Sequence, residues 1–164
     1  MRSSTRAALL APLLLVLVGC APIVALDPAE DAADPACAEV TVRLPEAIGE
    51  AERRETNAQA TAAWGEPTGV ILRCGVPAPA PTSTLPCVTV DGVDWLRDDT
   101  SDPNFVFTTY GRTPAIEVII DSDGDPDTAN DGVSGREALQ ELADAVGLLP
   151  VDGQCLALED TETG

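Results

Sequence analysis

The chain has 164 residues and sets 28 acidic side chains against 9 arginines, with no lysine and no histidine, for a net charge of -19. Such a surface repels nucleic acid and anionic lipid over about 8 Å of physiological electrolyte, so nucleic acid is set aside as a partner. Without His or Lys, the Ser-His-Asp, Cys-His and lysine-nucleophile schemes have no general base, and no enzyme activity or cofactor is expected.

Arg2 and Arg6 precede an uncharged apolar run from Ala7 to Val18. That is the layout of a secretory signal, and the run is too short for a transmembrane helix, which needs about 20 residues. Leu17-Val18-Gly19-Cys20 closes it as a lipobox, in which the Cys20 thiol takes a diacylglyceryl group. Residues 1–19 are therefore expected to be a lipoprotein signal peptide. The mature chain would begin at Cys20, anchored on the extracytoplasmic face of the cell membrane by its own lipid. Loss of Arg2 and Arg6 leaves seven arginines against 28 acids, a net charge of -21. From 20 to 36 the chain reads as a flexible acidic tether, with an average reach of about 20 to 24 Å as a coil.

A single α+β domain is expected over 37–159. Its first strand is read at Val40 and Val42, and a helix over Glu46 to Trp64 from the Ala, Glu, Arg and Gln content. Gly65 and Pro67 end that helix, and Gly69 to Cys74 follows as a buried strand. Pro77, Pro79, Pro81 and Pro86 make 75–86 an extended loop. Asp91-Gly92 joins Cys87–Val90 to Val93–Leu96 as a hairpin. A second hairpin runs from Phe105–Phe107 through Tyr110-Gly111-Arg112 to Ile116–Ile120. Ser134 and Glu137 form a capping box ahead of Leu139, Leu142, Ala143 and Val146, spaced as one helical face that Gly147 and Pro150 close. A short strand from Cys155 to Leu158 and a disordered tail over 160–164 complete the expectation. The class is α+β, a mainly antiparallel sheet with two helices on one face, a ferredoxin-like variant being one form of it.

Beyond Cys20 an even set remains, Cys37, Cys74, Cys87 and Cys155, so two disulfides are expected outside the cytoplasm. Of three pairings, Cys74 with Cys87 closes a short loop and Cys37 with Cys155 ties the ends, and this combination is favoured.

Between the second hairpin and the last helix, Asp121, Asp123, Asp125, Asp127 and Asp131 offer alternating oxygen ligands for Ca2+. Pro126 stands where an EF-hand needs Gly and Gly132 where it needs Glu, and the same residue types make an ordinary solvated turn. Arg53, Arg54, Arg73 and Arg112 with Trp64, Trp95 and Tyr110 are candidates for a groove that binds an anionic or sugar ligand by bidentate bonds and stacking. Partners for nearby acids, and core tryptophans, are the structural alternative.

Ala62-Ala63-Trp64-Gly65-Glu66-Pro67 and Leu72-Arg73-Cys74-Gly75-Val76 resemble a family of actinobacterial lipoproteins catalogued as domain-of-unknown-function family 3515. Arg53-Arg54, Gly92-Val93-Asp94-Trp95 and Tyr110-Gly111-Arg112-Thr113-Pro114 support the likeness, which covers most of 37–146. The resemblance implies an envelope lipoprotein and brings no activity or ligand with it. The expected function is a lipid-anchored binding or assembly module that docks a protein or another envelope component. A calcium-stabilised structural lipoprotein is the alternative, and a carboxylate-dependent cell-wall hydrolase a second.

Overall fold

A computed structural model describes residues 22–122 and 132–155. Cys20, Asp123, Asp125, Asp127, Asp131 and the end of the expected last strand lie outside them. Cys155 itself is in no strand.

The first element is a helix, α1 (Pro35–Thr41), where a strand was expected. The Asp34 carboxylate accepts from Ala36 N at 2.8 Å and Pro35 fills the first turn, so Asp-Pro is a helix start. The alternation of Val40 and Val42 misleads, because a helix sends them to different faces: Val40 is buried and Val42 is 77% exposed.

The stretch expected as a helix from 46 to 64 is instead three strands, β1 (Ala47–Ile48), β2 (Ala51–Arg54) and β3 (Thr61–Trp64). Gly49, at φ +55, turns β1 into β2, and Ala60, at φ +54, precedes β3. All four residues of β3 are buried. Alanine favours a helix by only a few tenths of a kcal/mol over most residues, and burying Ala62, Ala63 and Trp64 inside the sheet outweighs it.

The remaining strands lie close to their expected places: β4 (Val70–Val76), β5 (Cys87–Val90), β6 (Val93–Ser101), β7 (Asn104–Thr109) and β8 (Ala115–Asp121). The second helix, α2 (Gly135–Val146), starts at Ser134, whose hydroxyl accepts from Glu137 N, and buries Leu139, Leu142, Ala143 and Val146 as their spacing requires.

The eight strands form one antiparallel sheet in the order β1-β2-β3-β4-β8-β7-β6-β5. Two four-stranded meanders run inward from the edges and meet at β4 and β8, so α+β holds, and the strand order lends no support to a ferredoxin-like variant. Val70, Leu72 and Cys74 on β4 and Ile116, Val118 and Ile120 on β8 point to one core, which α1 and α2 share. Eight strands laid flat span about 34 Å. A helix of α2's length, about 18 Å, nevertheless touches β1, β8 and β5, so the sheet curls around it.

The disulfides are Cys37–Cys74 and Cys87–Cys155, a correction to the favoured pairing. Cys74 shares its side of β4 with Val70 and Leu72 and meets Cys37 of α1 in the core. Cys87 lies on β5, four strand steps away in the sheet, or about 19 Å. Closeness along the chain therefore gave the wrong partner.

Residues 22–34, expected as a free tether, are laid along the domain. Val24 forms a parallel bridge with Thr56, donating to Glu55 O at 2.9 Å and accepting from Asn57 N at 3.3 Å. Leu26 N donates to Asn57 Oδ1 at 2.7 Å, and Asp31 N to Gly75 O at 2.9 Å. Gly75 sits at φ +98, and a Cβ there would come within 2.5 Å of Ala32 N. Gly75→Ala is accordingly expected to cost about 1–3 kcal/mol through strain and displacement of this strap. Limited proteolysis is the check, with cleavage between 22 and 34 accelerating in the variant.

Candidate functional site

The arginines and aromatics expected to share a groove fall into separate neighbourhoods. Arg53 and Arg54 lie on β2, where Arg53 pairs with Trp64 of β3. Arg53 donates at 3.4 Å to Thr41 O and Leu44 O, the carbonyls that end and follow α1. Arg54 donates to Gly65 O at 2.9 Å and Pro22 O at 2.8 Å and forms an ion pair with Glu66. Arg73 meets its cross-strand partner Glu117 at 2.9 Å.

Arg112 lies in the β7–β8 connection with Tyr110, and it is buried against the far end of α2. Its guanidinium donates to Leu149 O at 2.6 Å and Gly147 O at 3.4 Å. Burial pushes its pKa below the usual arginine value, and Asp94 opposes that shift. Trp64 and Trp95 are fully buried and present no face for stacking; Trp64 donates to Pro45 O at 3.1 Å. Each of these arginines thus meets a carbonyl or carboxylate of the fold itself. Of the aspartates considered for calcium, Asp121 ends β8 and its carbonyl accepts from Val133 N at 3.0 Å; the other four lie outside the described residues.

A different set of side chains converges on the concave side of the sheet. The two-residue turn at Asp91-Gly92 pairs Val88 with Trp95, so Arg97, two residues on, shares their face. Arg97 pairs with Phe107, and Phe105 stands two residues before it on that face of β7. Together Val88, Val90, Phe105, Phe107 and Leu139 wall a cavity of about 390 Å³ between β5–β7 and the first turn of α2, with Ser122 and Gly135 at its edge.

Two arginines, Arg97 and Arg136, line this cavity. The Arg97 Cζ stacks 4.9 Å from the centre of the Phe105 ring, and its Nη2 lies 3.3 Å from Asp99 Oδ2. Arg97 Nε is buried with no hydrogen-bond partner among the described residues. Arg136, the second residue of α2, is exposed and forms no ion pair among the described residues. The N-terminus of α2 adds its partial positive charge at the same place. Apolar walls with a cationic rim suit a ligand that has an apolar body and one anionic head.

Arg97, Phe105, Phe107 and Arg136 are not among the candidates that residue type and motif suggest. The signal was available in the first hairpin, because its turn and the period of two place Val88, Trp95 and Arg97 on one face.

Among the described residues no helix is long and apolar enough to cross a membrane. A family model described as "Protein of unknown function (DUF3515)" matches residues 19–151. No curated protein and no solved structure matches the chain.

Proposed function

Because the chain belongs to the DUF3515 family of proteins of unknown function, its role is read from its own geometry, and we propose a lipid-anchored extracytoplasmic binding module. Its ligand is a small amphiphilic anion, seated between β5–β7 and the start of α2. The observation that carries this reading is the pair of arginines, Arg97 and Arg136, lining a mostly apolar cavity in a domain whose charge is otherwise strongly negative.

The lipobox at Cys20 supports placement on the outer face of the membrane, and two disulfides suit an oxidising compartment. Binding would work by division of labour. Each methylene that leaves water for the Phe105 and Phe107 walls contributes about 0.8 kcal/mol. The arginines and the helix terminus contribute selectivity for the anionic head, because charge-assisted bonds to an anion are about twice as strong as bonds to a neutral group.

The probe for this reading is 8-anilinonaphthalene-1-sulfonate, an aromatic anion whose fluorescence rises in apolar surroundings. Saturable binding is expected, and Arg97→Gln with Arg136→Gln should weaken it about 10- to 100-fold, each lost charge-assisted bond costing about 1.5–3 kcal/mol less what the remaining contacts recover. The neutral analogue N-phenyl-1-naphthylamine should bind native and variant protein alike. An unchanged sulfonate affinity in the variant would remove the proposed site.

A further inference from the structure

Between Cys20 and the first described residue, Pro22, stands one residue, Ala21. Two Cα steps reach at most about 7 Å. From Pro22 onward the chain is fastened to the β2 edge: Arg54 Nη2 holds Pro22 O at 2.8 Å, and the bridge of Val24 with Thr56 and the bond from Leu26 N to Asn57 continue the attachment. The strap runs parallel to β2 and prolongs the edge that β1 covers at Ala51 and Glu52. Ile23, three residues after Cys20, is 58% exposed although it is strongly apolar.

We infer that the lipid surface is a docking partner of the folded domain, with the β1–β2 edge and Ile23 seated at the headgroups and no free tether between. This rests on the lipid-anchor reading of Cys20. Acyl chains attached so close to a fastened strap allow the domain little height and a restricted tilt, whereas a 16-residue coil would have let it stand about 20 to 24 Å away. Ile23 then meets the interface, where an apolar side chain leaves water. Exposed Glu50, Glu52 and Glu55 lie on the same edge, so neutral headgroups suit the seat and anionic ones oppose it.

Neutron reflectometry of the lipidated, full-length mature protein on a supported phosphatidylcholine bilayer reads the water gap beneath the protein layer. The seat predicts a gap under about 10 Å, rising by about 20 Å when a 16-residue Gly/Ser segment is inserted between Ala21 and Pro22. A native gap of about 20 Å, unchanged by the insertion, would overturn the seat and leave the anchor standing. Cys20→Ser protein that stayed on the bilayer as well as the native form would overturn the anchor, and with it the short-anchor argument on which the seat rests.

Discussion

Removing the disulfide between α1 and β4, as Cys37→Ala with Cys74→Ala, is expected to lower stability by about 4 kcal/mol, the chain-entropy value for a loop of this length. The two cysteines are 37 residues apart and both are fully buried, so the lost crosslink also leaves a small core void. A domain of this size is usually stable by about 5–15 kcal/mol, and a loss on this scale should move the denaturant midpoint far toward water. Peptide mapping without reduction should recover Cys37 joined to Cys74. A Cys74–Cys87 peptide would contradict the observed sheet order, since those residues belong to strands four steps apart.

The second large effect is at Arg112. Arg112→Ala removes the donor that Leu149 O and Gly147 O share and opens a void at the end of α2. Hydrogen bonds from a charged group contribute about 1.5–3 kcal/mol, and buried carbonyls left without a donor add to the loss, so about 3 kcal/mol is expected. Arg112→Lys should recover only part of it, because the more strongly hydrated ammonium costs more to bury than a guanidinium. Amide exchange should quicken in the last turn of α2 while binding of the sulfonate probe to the refolded variant stays unchanged. Unchanged stability with lost binding would instead return Arg112 to a ligand site, where its residue type alone had suggested it.

Legibility of the fold in the residues tracked how local the decisive interactions are. The β5–β6 hairpin is written in Asp91-Gly92, and α2 in Ser134 together with one apolar face. The β1–β3 region is not, because its composition favours a helix and only burial against β4 and α2 makes it a sheet. Nor does the strap announce itself: Leu26 bonds to Asn57, 31 residues away, and a run of Pro, Ala and acids looks the same whether free or fastened. Disulfide pairing depended on strand order, which no spacing encodes. The candidate site is intermediate. One wall follows from hairpin register, but bringing Arg136 and Leu139 to it requires the curl of the sheet around α2.

The measurement that bears most directly on the proposed function is an amide NMR titration of the mature protein with decanoate, kept below its micelle concentration. Binding at the cavity predicts saturable shifts concentrated at Val88–Val90, Arg97, Phe105–Phe107 and Gly135–Leu139, with the affinity falling about 10- to 100-fold when decanol replaces decanoate. Shifts centred on Arg53, Arg54 and their neighbours, or none that saturate, would contradict it.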